Sequence, residues 1–273
     1  MHIKKTKCVR IKHMDKPFIY FDTETTDTQA KDLLQLAIIT DNPDIYLNLF
    51  FKPRIKIDFG AMAVHHITPE DVLDKEFFED TKLPTEGMDP EFKGKDLIEY
   101  LEFLNDKYIW VAHNSEFDTE VLSKKGIDIK NVICTLKVAR NALTLGDRDL
   151  ESYKLQYLRY YLGLYKTENK DHMTAHDALS DVYFLKDLFH YLQENTKLST
   201  QNMILVTKQP QIIREINFGK YAGRTLHELA TLDRGYLEWI AENMEDKKDL
   251  QWNAQRVLES DIHSNKDGNL TFV

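Results

Sequence analysis

Three features of the sequence predict an α/β fold built on a sheet of mixed direction. Apolar runs of strand length come first, at 17–24, 33–40 and 45–51, in the manner of a β-meander. Strand-like and helix-like segments then alternate from about residue 95 to 196. The composition is that of a packed protein, with 42% hydrophobic, 11% aromatic and 30% charged residues. At 273 residues the chain exceeds one average domain of about 100–200 residues and falls short of two full ones. A large domain over 1–196 and a small α+β module over 197–273 are therefore expected.

The elements follow in order. Phe18-Ile19-Tyr20-Phe21 reads as a buried strand that ends in the carboxylates of Asp22 and Glu24. Thr68-Pro69-Glu70-Asp71 combines an N-cap, a proline at the first helical position and a carboxylate three residues after the cap, which predicts a helix start. The charged segment 75–95, with Pro84, Gly87, Pro90 and Gly94, predicts a surface excursion, followed by a helix over 95–106. The apolar run 108–112 predicts a central strand leading through His113 and Asn114 into a helix that reaches Leu122. A strand and a helix are expected within 129–145 and another helix over 152–164. Ala178, Val182, Leu185, Leu188, Phe189 and Leu192 recur at helical spacing, so 177–193 should lay one face on the sheet. Beyond the polar stretch 197–211, residues 216–226 suggest a hairpin and the remainder two helices.

The formal net charge is −9 and the pI about 5.6. This excludes a protein that holds a long polynucleotide by neutralising many phosphates, but not an enzyme whose acidic pocket fills with divalent cations. Cys8 and Cys134 are the only cysteines. They provide neither a disulfide framework nor a thiolate metal site, which fits a reducing compartment, with the cytoplasm as the default expectation. The basic start meets only a short apolar run before Asp22, so no secretory signal is expected, and no run has the length of a bilayer span.

Several carboxylates stand where packing alone gives no reason for them. Strand alternation places Asp22 and Glu24 on one face, where two like charges repel unless a cation joins them. Asp118 follows another apolar strand, the run 108–112, and Asp181 lies beside the buried stripe of the 177–193 helix. Convergence of the four would form an all-oxygen site suited to two Mg²⁺ or Mn²⁺ ions and to phosphoryl transfer. His176 immediately precedes the helix of Asp181, with Asp177 as its N-cap. From the helix start its imidazole can approach that site and accept a proton near neutral pH.

Asp22-Thr23-Glu24-Thr25-Thr26, His113-Asn114-Ser115-Glu116-Phe117-Asp118 and His176 with Asp181 five residues on resemble, taken together, the three motifs of the DEDDh, or DnaQ-like, 3′→5′ exonucleases. Segments 61–68 and 133–140 are similar to secondary motifs of that family. Residues 218–223 with 235–239 resemble the C-terminal module of its exodeoxyribonuclease X branch. The resemblance implies a ribonuclease-H-like fold and a metal-dependent exonuclease that acts on single-stranded or duplex DNA 3′ ends. It also implies two divalent ions, Mg²⁺ or Mn²⁺, held by Asp22, Glu24, Asp118 and Asp181. Asp22 would bridge both ions, Glu24 and Asp181 would complete the site of the attacking water, and Asp118 would help hold the second ion, with His176 as general base. Thr23, Thr25, His65, Asn114 and Phe117 would border the terminal nucleotide. Asp177 occupies the position of the tyrosine used by a related subfamily, which disfavours that chemistry. Asp27 and His66 stand where the family commonly has glycine or another small residue. RNA 3′-end trimming, or an inactive member that only binds a partner, are the alternative functions.

Other residues have two readings. His65 serves either the nucleotide or its own turn, while His113 and Asn114 order the turn before Asp118. His172 is a loop histidine. Lys124, Lys125, Arg140, Arg148, Lys154, Arg159 and the basic arm 4–12 either guide a strand or are solvated. Tyr221, Tyr236 and Trp239 are a stacking platform or the core of the small module.

Overall fold

The computed structural model describes residues 16–29, 31–41, 45–84, 91–167 and 178–267, with side chains to Ser260 in the last helix. The meander forms as expected: β1 (Phe18–Thr25), β2 (Leu33–Thr40) and β3 (Tyr46–Phe50) are antiparallel neighbours. β4 (Ile109–Ala112) and β5 (Val132–Cys134) add parallel strands on the other side of β1, giving the order β3-β2-β1-β4-β5.

Period-two alternation gives each face of this sheet its own core. Ile19, Phe21 and Trp110 pack with Leu101 and Leu104 of α2 (Leu97–Lys107) and Val121 and Leu122 of α3 (Ser115–Lys124). Tyr20, Ala37 and Val111 face the other way. They pack with Val138 of α4 (Thr135–Ala142), Leu158 of α5 (Leu155–Tyr161) and Val182, Leu185 and Phe189 of α6 (Ala178–Asn195). The mixed sheet flanked by helices is the ribonuclease-H-like arrangement that the sequence predicts. Among the described residues no helix is long and apolar enough to cross a membrane.

Two local expectations are corrected. Thr68 and Asp71 do pair as a cap, since the Thr68 N–H and hydroxyl both donate to Asp71 Oδ2 at 2.8 Å. The chain beyond them continues as turns, and the helix here, Phe59–His65, comes before them. The described part of 75–95 is not merely a surface excursion either, because Phe78, Leu83 and Phe92 are buried in the α2–α3 core. Three apolar or aromatic anchors spaced among charges hide easily from a periodicity test.

The polar stretch after residue 196 contains a further helix, Thr200–Thr207, capped by Ser199, whose hydroxyl accepts from the Asn202 N–H at 3.2 Å. Met203 and Ile204 of this helix are buried in the α6-side core, and Thr207 Oγ1 accepts from the Cys134 N–H at 2.8 Å. Lys137, itself buried, donates to the Thr207 and Gln209 carbonyls at 3.1 and 2.9 Å. This helix thus packs with the sheet, not with the module after it.

A separate core begins at Ile216. It joins Leu226 and Leu229 from Leu226–Leu232, Leu237 and Ile240 from Arg234–Asn243, and Leu250 and Ala254 from Lys248–Asp267, three helices where two were expected. The hairpin is reduced to one bridge, Glu215 with Thr225, closed by Gly223 at φ +80°, whose N–H donates to Ile216 O at 2.7 Å. Arg148 on the sheet side donates to Glu215, Gly223 O and Glu228 at 2.9–3.1 Å, and Arg214 donates back to Arg140 O and Asp149 at 2.8 and 3.0 Å.

Cutting the chain after Asn195 would therefore strip two buried side chains from the α6-side core, at a cost of about 1.5–3 kcal/mol each, and would leave the buried Lys137 ammonium with Glu116 as its remaining partner. That fragment is expected to aggregate, whereas a chain ending at Ile212 should be soluble and melt cooperatively. Comparing the two by circular dichroism melting and size exclusion checks this, and equal folding of both would refute it.

Candidate active site

The carboxyl-terminal ends of the parallel strands β1, β4 and β5 lie at one edge of the sheet, the usual place for a site in an open α/β sheet. β1 pairs with β4 only at Phe18, Ile19 and Tyr20, so β1 runs on past its neighbour. Asp118, in the first turn of α3, fills the gap. Its Oδ1 accepts from the Thr23 N–H at 3.0 Å and the Thr23 hydroxyl at 2.7 Å. Asp118 is only 3% exposed, and burial pushes its carboxyl up to about 7 against the opposing pull of the Thr23 hydrogen bonds. Asp22 and Glu24 flank Thr23 on the face shared with Tyr20, each half-buried.

α6 lies on that same face. Phe189 packs edge-on against Phe18 and Tyr20, with centroids 4.8 and 5.7 Å apart, and His190 Nε2 lies 2.7 Å from Asp41, just beyond the end of β2 that pairs beside the start of β1. The C-terminal half of α6 is thus at the start of β1. Val182 and Ala178 stay in the same core, so the helix runs back towards Asp22 and Glu24. From Phe189 to Asp181 is about 12 Å along a helix, comparable to the three or four strand residues that separate Tyr20 from Glu24. Asp181 Oδ1 accepts from Gln156 Nε2 of α5 at 2.7 Å, and Gln156 Oε1 in turn accepts from Arg159 at 3.0 Å.

Among the described residues no three His, Cys, Asp or Glu side chains are gathered closely enough to hold a metal ion. Asp118 is tied to Thr23 and Asp181 to Gln156, as like charges without a cation would favour. The donor chemistry still fits a hard divalent ion, because the groups are carboxylate oxygens and the buried Asp118 gains most from a nearby cation. His176, its cap Asp177 and His172 lie outside the described residues.

The remaining expected residues divide by what they touch. Thr23 holds Asp118, and Thr25, buried, donates to the Asp27 carbonyl at 2.7 Å. Both His65 nitrogens are engaged: Nδ1 accepts from the Ile67 N–H at 2.9 Å and Nε2 lies 3.2 Å from Thr25 O, while burial lowers its pKa. His113 is bound to Thr135 Oγ1 and Tyr153 O, both at 2.9 Å, and burial lowers its pKa to about 4, so it orders the turn as a neutral ring. Asn114 starts α3 in the left-handed conformation, φ 63°, with its side chain exposed. Phe117 packs against the α2–α3 core. His66 is also left-handed, φ 61°, which accounts for the small residue common at its position in the resembling family. Asp27, the other departure, is buried and pairs with Lys31 at 3.3 Å.

Most of the cations that could have guided a strand serve the fold instead. Lys125 pairs with Asp32 at 2.7 Å and Glu79 at 3.0 Å, which raises its pKa, and Lys124 pairs with Glu120 at 2.7 Å. Arg140 and Arg148 join the two cores. In the small module Tyr236 stacks on Trp239 at 5.8 Å and packs at a tilt against Tyr221 at 5.1 Å, half at the surface and half on its core. A cleft of about 790 Å³ opens between Glu116 and Tyr153 on the sheet side and Phe218 and Lys247 of the module, with the Lys247 ammonium 3.5 Å from the Phe218 ring centre. Gln156 escaped the sequence reading. Its only signal was its place three and four residues before Arg159 and Tyr160, on one face of a short helix.

A mixed sheet in this order, with carboxylates placed at the ends of its parallel strands and on the helix that crosses them, defines the ribonuclease-H-like class to which DEDD exonucleases belong. Residues 91–197 match the family model described as 3′-5′ exonuclease, and 216–245 match that of the exodeoxyribonuclease X-like C-terminal region. The chain is thus similar to DnaQ-like 3′→5′ exonucleases that carry an exodeoxyribonuclease X-like C-terminal region. It is 27% identical to exodeoxyribonuclease 10 of Escherichia coli strain K12 over 247 residues, covering 88% of this chain and 97% of that one. To the DNA polymerase III ε subunit of Buchnera aphidicola it is 25% identical over 269 residues, covering 87% and 99%. A solved structure of exonuclease X in complex with 5′-overhanging duplex DNA superposes with a TM-score of 0.50 at 24% identity, covering 70% of this chain and 99% of that one.

The raised Asp118 pKa has a thermodynamic consequence. The metal-free folded state binds a proton that the unfolded chain releases near pH 4, so stability falls as pH rises from about 4 to 7 and then levels off. Asp118→Asn keeps an oxygen for Thr23 and removes the charge. It should be more stable than the parent at pH 8 by on the order of 2–4 kcal/mol, with the difference vanishing towards pH 4. Urea denaturation in EDTA at several pH values checks this; a difference independent of pH would refute it.

Proposed function

We propose that the protein hydrolyses DNA from its 3′ ends, releasing nucleoside 5′-monophosphates, with divalent metal ions at Asp22, Glu24, Asp118 and Asp181. The observation that carries this reading is the buried Asp118 carboxylate seated on Thr23 between Asp22 and Glu24. A desolvated carboxylate at the end of a strand costs the fold stability unless a cation is to meet it there. The relatives support DNA as substrate: one is named an exodeoxyribonuclease, and the solved exonuclease X was bound to duplex DNA.

Mg²⁺ or Mn²⁺, when bound, would supply Lewis-acid stabilisation of phosphate oxygens and acidify a water. The chain's own groups do the rest. Thr23 fixes the orientation of Asp118, and Gln156 that of Asp181. His176, placed by sequence just ahead of α6, takes the proton of the attacking water. Oxygen adds to the terminal phosphorus as the bond to the 3′ oxygen of the preceding nucleotide breaks, and that oxygen takes a proton from solvent water to become the new 3′ hydroxyl. The acidic chain holds few phosphates between cleavages, so release should be distributive.

Asp22→Ala is expected to abolish Mg²⁺-dependent mononucleotide release from 5′-labelled single-stranded DNA while the protein stays folded. His176→Ala should lower kcat by about 10²–10⁴ and alter the acid limb of its pH profile. Time courses on DNA and RNA oligonucleotides of one sequence test both, since faster trimming of RNA would reassign the substrate and retained turnover in Asp22→Ala would overturn the metal assignment.

A further inference from the structure

α5 and the turn after it expose more aromatic surface than packing explains. Tyr160, Tyr161 and Tyr165 are 58%, 48% and 40% exposed. Tyr160 and Tyr165 have centroids 5.4 Å apart, and Tyr161 stacks nearly parallel on Tyr157 at 5.8 Å. Cations are interleaved with these rings: the Arg159 guanidinium lies 5.1 Å from the Tyr160 ring and the Lys166 ammonium 5.9 Å from that of Tyr165. Alternation of rings with cations suits a strand that offers bases and phosphates in turn.

Position gives the patch its meaning. Gln156 donates to Asp181, and Tyr160 is one helical turn further along the same face of α5. A polynucleotide leaving the carboxylates along this helix meets Tyr160 first and the Tyr165 ring next. An apolar partner protein would find the rings but no use for cations set over them, whereas an unpaired strand uses both.

We infer that Tyr160, Tyr161 and Tyr165 form a stacking site for unpaired bases of single-stranded DNA next to its 3′ end. The inference rests on the exonuclease reading, since that reading supplies the strand. It predicts a preference for frayed or single-stranded ends over base-paired ones, because paired bases have no free face to stack.

The test measures binding of a 5′-fluorescein twelve-nucleotide single strand to the full chain in EDTA by anisotropy, and mononucleotide release in Mg²⁺. Tyr160→Ala with Tyr165→Ala should weaken binding about tenfold or more and raise KM in parallel, and Tyr160→Phe with Tyr165→Phe should restore both. Tyr46→Ala, an exposed tyrosine on β3, is the control and should bind like the parent. If the alanine pair lowers the melting temperature, Tyr160→Ser alone is measured, with about a threefold loss expected. Unchanged affinity in the alanine variants, or equal loss in the phenylalanine pair, overturns the stacking site even if hydrolysis proceeds. Ring-dependent binding without mononucleotide release would retain the surface and refute the exonuclease reading.

Discussion

The active edge depends on a change of hydrogen-bond partner at Thr23. Where β4 stops, the strand loses the carbonyl that would continue the ladder, and a carboxylate from α3 takes the Thr23 N–H instead. A backbone donor left unpaired at this depth would cost a few kcal/mol, so the substitution fixes α3 against β1 as firmly as a strand would. It also buries an acid. The same contact that completes the sheet thus keeps a desolvated carboxyl at this edge, while strand alternation turns Asp22 and Glu24, one residue to either side of Thr23, to the α6 face.

The strands were legible because apolar runs of strand length and the meander order leave few alternatives, and β2 matches its predicted span of 33–40. The four acidic residues stood out for a related reason: Asp22 and Glu24 end an apolar strand, Asp118 follows another and Asp181 lies beside the buried stripe of a helix. Gln156 and the α5 tyrosines did not, since a polar or aromatic residue on a short surface helix has no pattern to violate. Thr200–Thr207 was missed because half its residues are polar and its apolar ones form no clear stripe. The Thr68 cap misled for the opposite reason, as cap chemistry serves a turn as readily as a helix. Charge gave a mixed account: a count of lysines and arginines says nothing of which ones are already paired.

Pairing of this kind explains how an acidic chain approaches a polyanion. Lys125, Lys137, Arg148 and Arg214 face carboxylates or carbonyls of the protein itself, so they hold elements together and contribute little field outside. What remains for a nucleic acid is local. On the proposed reading, a metal-dependent pocket and a few rings with cations near them would attract an end, whereas a basic groove would attract the whole length of a strand.

The exchange of Arg148 and Arg214 across the joint bears on how such a chain can change over generations. Each arginine is rooted on one side and finds its acceptors on the other, Glu215 and Glu228 for Arg148, Asp149 and Arg140 O for Arg214. A recombination event that replaced either half alone would leave one guanidinium without its socket and one carboxylate pair without its cation. The two halves are therefore inherited together or refitted together, and a graft of this C-terminal region onto another exonuclease must carry the counterparts of both arginines with it.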